Sequence, residues 1–302
     1  MSLDLVKQMF SIPPEKPLTT TQRFTFWSAF LAYFVGGLSI ILAPDLWNII
    51  LGFDLESVRG RGYFLLMGGG LMIIGFWFIV LSRHISSQVP RHAVILGTVL
   101  SRLILVNGKL FTLYNKGMIT LAFALLFSAL DTCLSLITYA IWSREIQGAS
   151  LKRFFSEVWA VANPCPNSQK KPVYMISQLM GYFQFIFGLA IAPSFLQSSG
   201  IVPKETFETQ DGGLLLGFLT MLAIHGWFHA LSSGASNHSF LMASLFYRVV
   251  WNIPYFLFLG FTSKIEIGLS KVLVSFDVVY SLIILVLLLI EVPRMKKTKR
   301  NC

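Results

Sequence analysis

Four side chains could do chemistry where chemistry is least expected. Arg102 and Asp131 lie 29 residues apart in two apolar segments joined by Asn115-Lys116-Gly117. Arg248 and Asp277 repeat that spacing in two more, joined by Phe261-Thr262-Ser263. A charge in the middle of a lipid-spanning helix is costly, so it faces a partner or a polar cavity. Each pair is therefore either an ion pair that fastens neighbouring helices or part of a site for a ligand or ion. His225 and His229 add a second constellation. Their i, i+4 spacing puts both imidazoles on one face of a helix, which suits a cavity lining, a proton relay or half of a metal site. No HExxH pattern accompanies them, and no metal or cofactor is expected. Asn252, Tyr247, Tyr255 and Tyr280 surround these charges in sequence. Pro254 is expected to kink its helix and free a carbonyl.

The elements that must position these groups are membrane spans. The chain has 302 residues, 55% hydrophobic and only 13% charged, with a mean hydropathy of +0.68. A soluble domain carries about 25% charged residues. Long apolar runs predict spans at about 24–43, 62–82, 93–114, 118–142, 173–192, 212–232, 239–260 and 265–291. Residues 1–11 suit a short interfacial helix, and Trp47 with Ile49, Ile50 and Phe53 suits a segment lying at the interface. The Gly68-Gly69-Gly70 run suits close helix packing. Residues 144–172 form the one long polar connection. Cys133, Cys165 and Cys302 share no metal-ligand or disulfide spacing.

With eight spans both termini share one side. That side collects 15 of the basic residues in connections and the other side 5. The bias predicts cytoplasmic termini in the endoplasmic reticulum or plasma membrane. The basic tail from Arg294 to Arg300 suits anionic lipid. No basic-aromatic stripe accompanies the net charge of +10, so nucleic acid is not an expected partner.

The two halves resemble each other. Ile74, Trp77, Phe78, Leu81 and Ser82 recur as Ile224, Trp227, Phe228, Leu231 and Ser232, a shift of 150. Arg102, Leu113, Ile119, Asp131 and Ser135 recur as Arg248, Leu259, Ile265, Asp277 and Ser281, a shift of 146. Ala43-Pro44 and Ala192-Pro193 each close the first span of a half. The expected fold is an all-α membrane protein of eight transmembrane helices in two parallel four-helix repeats, because each unit has an even number of spans. The repeats cover 24–142 and 174–292, between an N-terminal segment 1–23, a cytoplasmic connection 143–173 and a basic tail 293–302.

A first span ending in Ala-Pro, an interfacial connection and a last span with an intramembrane Asp resemble the small four-helix DoxX-like membrane proteins. That resemblance, carried by each half, implies a four-helix bundle and no particular reaction. The richer polar set, His225, His229, Arg248, Asn252 and Asp277, places the expected pocket in the second half. Its occupant would be a lipophilic small molecule, beside ordinary membrane lipid. A membrane-embedded isomerase or cyclase using His225, His229 or Asp277 as acid and base is the alternative. A purely structural or accessory protein is the other.

Overall fold

The structure is a computed structural model that describes residues 17–53, 55, 57–83, 89–164 and 171–300, with side chains to 290. The interfacial helix expected within 1–11 and part of the polar connection, 165–170, lie outside the described residues. Every element among the described residues is helical, and eight helices are long and apolar enough to cross a membrane. In chain order they are α1 (Thr20–Leu42), α3 (Val58–Ser82), α4 (Ala93–Asn115), α5 (Leu121–Glu145), α7 (Pro172–Ser198), α8 (Gln210–Gly234), α9 (His238–Phe261) and the Ile267–Ile290 part of α10. Between them lie α2 (Pro44–Leu51) and α6 (Leu151–Ala162). The last helix continues to Arg300, past the expected end of the span at 291.

Helices α3 and α8 form the centre. In their most apolar stretches 94% and 78% of residues are buried, against 22–50% in the other six. A helix apolar on every side belongs in such a place. The outer helices turn Leu125, Leu136, Phe183 and Leu289 outward, as a lipid-facing surface requires.

Small residues let the backbones touch. A Cβ on Gly75 would strike the backbone of Phe34, and one on Gly37 the backbone of Gly68 and Met72, which joins α1 to α3. Between α7 and α8, Gly226 faces the backbone of Phe185 and Gly188 that of Leu219 and Ala223. The glycine run serves three neighbours: Gly68 meets Ile40, Gly69 the ring of Tyr255 and Gly70 Met221.

Four spans contain a π-helical stretch: Ala29–Val35 in α1, Ser101–Val106 in α4, Phe187–Ile191 in α7 and Arg248–Asn252 in α9. Such stretches interrupt the regular ladder, often at functional sites. Two of them carry the intramembrane arginines. Pro254 lies two residues past the end of the fourth, which supplies the local irregularity that its missing N–H demands.

Helix α2 starts at Pro44, where the chain leaves the α1 direction at Ala43. It buries Leu51 and exposes Ile49 and Ile50, as an interfacial helix does. The long polar connection holds α6. Its Phe154, Val158 and Val161 follow the i, i+4, i+7 spacing and are buried, Phe154 and Val158 in a cluster with Trp142, Leu96 and Val99.

At one end of the bundle the Glu145 carboxylate accepts from the Thr20 amide at 2.7 Å and the Thr21 hydroxyl at 2.6 Å, capping α1. His92 sits beside it, 2.9 Å from the Thr19 hydroxyl and 3.7 Å from Glu145. Burial holds this imidazole below its ordinary value of 6.5, against the opposing pull of Glu145. A lowered folded value means that the unfolded chain takes up the proton first. Stability is then fully present above 6.5 and is lost as the pH falls below it. The unfolding midpoint in detergent is expected to drop between pH 7.5 and 5.5, and His92→Gln to flatten that slope.

Candidate functional site

Both expected pairs form. Arg248 of α9 and Asp277 of α10 are each 2% exposed and make a direct ion pair through Nη1. Arg248 Nη2 donates to Gln184 Oε1 of α7 at 2.8 Å, and Nε to Ser244 Oγ at 3.3 Å. The Tyr280 ring lies 3.9 Å beneath the guanidinium. All three nitrogens of this arginine are thus occupied. Gln184 is itself held, its amide donating to the Leu222 carbonyl of α8 at 3.2 Å.

Ser244 Oγ also lies 2.5 Å from His229 Nε2. Since Arg248 Nε donates into that oxygen, the serine proton is free to donate to His229, which leaves the imidazole proton on Nδ1. Asp277, Arg248, Ser244 and His229 form one hydrogen-bonded chain across α10, α9 and α8. The rings of Trp77, Phe240 and Tyr280 stand 5.0–5.2 Å from His229 and enclose it. His225 lies against the same Trp77 ring, at 4.8 Å. Among the described residues no third His, Cys, Asp or Glu joins the two histidines in a cluster. Asn252 accepts from Tyr247, while Tyr255 crosses to the Leu65 carbonyl at 2.7 Å. The residues expected to line a pocket in the second half therefore pack largely on one another.

The other pair is looser. Arg102 of α4 and Asp131 of α5 are 4% and 5% exposed, with Nε 3.9 Å from the carboxylate. Asp131 takes its hydrogen bond from the Tyr33 hydroxyl of α1. The guanidinium lies 4.1 Å above the Phe78 ring, yet its Nε and Nη2 have no hydrogen-bond partner among the described residues. An unpaired buried donor costs about 1–3 kcal/mol, and more when charged. Beside it is a cavity of about 60 Å³ between α3, α4, α5 and α8, lined also by Lys109, Thr220 and Ser101. That is room for a few waters or a compact polar head. A second, almost wholly apolar pocket of about 230 Å³ lies between α4 and α7–α8, and Ser101 lines both. A groove of about 790 Å³ runs along α7 and α10 with Lys271, Ser275 and Tyr280 as its polar members.

Tyr33, Gln184 and Ser244 were not singled out from the sequence. Their signal was there: Tyr33 and Gln184 are polar residues near the middle of otherwise apolar spans, where polar groups need partners. Eight apolar helices with charges paired inside them define a polytopic α-helical membrane protein. No protein-family model, curated protein or solved structure matches the chain.

Proposed function

We propose that the chain binds a lipophilic or amphipathic small molecule within the membrane, at the cavity beside Arg102. One observation carries this reading. Arg102 is buried with two unpaired donors and has a cavity beside it, whereas Arg248 is saturated by protein groups. Helix fastening alone accounts for Arg248 and leaves Arg102 incomplete. The site so proposed centres on Arg102 of the first half, with Thr220 and Met221 of α8 on its wall, and not on the second-half set of His225, His229, Arg248, Asn252 and Asp277.

The architecture that frames it is proposed as two parallel four-helix repeats, 24–142 and 174–292, with both termini cytoplasmic from the 15-to-5 distribution of basic residues. Packing supports the repeat. Gly75 meets the Phe34 amide as Gly226 meets that of Phe185, and Gly37 meets Gly68 and Met72 as Gly188 meets Leu219 and Ala223. All these correspond at a shift of 151. Gly62 of α3 faces the Lys264 carbonyl while Gly213 of α8 faces that of Met118. That exchange, at shifts of 151 and 146, is what a pseudo-two-fold axis along the membrane normal would produce. Gly70 meeting Met221 would then lie on the axis.

A second reading has its own support. The chain from Asp277 to His229 would suit acid-base catalysis, reached from the α7–α10 groove past Tyr280, which lines that groove and meets His229 edge-on.

Mass spectrometry of small molecules retained by the purified protein tests the binding reading. Val106→Phe, which fills the cavity from a half-buried position, is the comparison. Wild type is expected to hold a compound that the variant loses. Identical bulk lipid in both would leave the charged pairs as helix fasteners, and a compound lost only from Tyr280 or His229 variants would favour the enzyme.

A further inference from the structure

We propose that the Arg102 site takes a carboxylate head on a single apolar chain, an inference that rests on the binding reading above. Comparison of the two arginines leads to it. Arg248 donates to Gln184 and Ser244. By the packing register, Gln184 corresponds to Tyr33 and Ser244 to Thr98. Neither serves Arg102: Tyr33 donates its proton to Asp131, and the Thr98 hydroxyl donates to the Ile95 carbonyl at 2.6 Å. The acceptors that complete one arginine are missing around the other.

The space has opened in step. Tyr255 fills the second half with its ring against Gly69 and its hydroxyl on the Leu65 carbonyl. The corresponding positions hold Lys109 and Thr220, and both line the Arg102 cavity. Two basic side chains and one carboxylate, already bonded to Tyr33, thus line the same cavity. The balance calls for one more negative charge. Nε and Nη2, the two unpaired donors, form the side-on edge of the guanidinium, whose parallel N–H groups match the two oxygens of a carboxylate.

The tail has a place as well. The apolar pocket between α4 and α7–α8 adjoins the cavity at Ser101 and is lined by Ile104, Phe185 and Trp227. Ile104 is 65% exposed on the lipid side, so a chain can lie there with one end in the bilayer. Arg102 is the tenth of 23 residues in α4, near mid-membrane. A single-chain acid reaches that depth more easily than the bulky head of a phospholipid, which is held at the interface.

The test uses the full chain in phosphatidylcholine nanodiscs at pH 8, titrated with radiolabelled oleate, with oleyl alcohol and with phosphatidylglycerol. Oleate is expected to bind roughly tenfold or more tightly than oleyl alcohol, the difference a charge-assisted hydrogen bond makes. Arg102→Gln should erase that preference, with some loss of unfolding midpoint because it leaves Asp131 without its cation. Lys109→Gln, at a half-buried position, should weaken oleate a few-fold and serves if Arg102→Gln does not fold. Equal binding of oleate and alcohol would overturn the carboxylate and leave the pocket standing. Binding of neither would overturn both readings. Displacement of oleate by equimolar phosphatidylglycerol would assign the site to a bilayer lipid and reject the single-chain acid.

Discussion

Asp277→Leu is expected to destabilise the protein by about 3–5 kcal/mol, because it strands a buried guanidinium. Arg248 would keep Gln184 and Ser244 but lose the only carboxylate paired with it among the described residues. It has no path to water, being 2% exposed. Replacing both partners, as Arg248→Leu with Asp277→Leu, removes the stranded charge and should recover most of the loss. The measurement is the unfolding midpoint of single and double variants in detergent, read as a double-mutant cycle. A double variant no better than the worse single would show that the pair is not the coupled unit. Asp131→Leu should cost less than Asp277→Leu. The first pair is already separated by 3.9 Å, so less attraction is lost, and the cavity beside it leaves Arg102 room to shift. Similar losses at both aspartates would count against the contrast drawn between the two arginines.

The spans were legible because a membrane imposes length and composition on them, and the runs at 62–82 and 212–232 lie within α3 and α8 to a few residues. The Arg–Asp contacts were legible too, since two helices joined by a short turn must place such pairs at similar depth. What completes each arginine was not. Gln184 and Tyr33 arrive from helices distant in sequence, and depth alone does not say which helix faces which. Helix α6 went unread although Phe154, Val158 and Val161 carried its spacing, because it is short and its flanks are polar. The π-helical stretches left no mark in residue type beyond Pro254. The register of the proposed repeat shows the same limit. Identities suggest 150 and packing supports 151, and one residue turns a helix face by about 100°. Trp77 is buried where Trp227 is only partly so. At 151, Trp77 corresponds instead to Phe228, which is equally buried. A shared tryptophan marks likeness of composition; a shared glycine crossing marks likeness of position.

Gly226→Leu is expected to be nearly as damaging as the loss of Asp277. Its Cβ would meet the Phe185 amide, the Gly181 carbonyl and the backbone of Gln184. Overpacking costs about 1–3 kcal/mol where side chains can yield. Here the obstacle is backbone on a neighbouring helix, so α7 and α8 must separate, and the cost should reach the top of that range or exceed it. Separation also has a chemical consequence. Gln184 rides on α7 and bridges the Leu222 carbonyl and Arg248. Moving α7 outward withdraws an acceptor from the buried guanidinium and gives Arg248 the unpaired donors that Arg102 has now. Gly226→Leu and Gln184→Leu should therefore be less than additive in the unfolding midpoint, since both remove the same hydrogen bond. Gly108→Leu is the control, because a Cβ there meets nothing within 4 Å, and its midpoint should stay within about 0.5 kcal/mol of wild type. Full additivity of the first two substitutions would mean that the glycine crossing does not hold Gln184 in place, and the link from helix packing to arginine saturation would fail at that step.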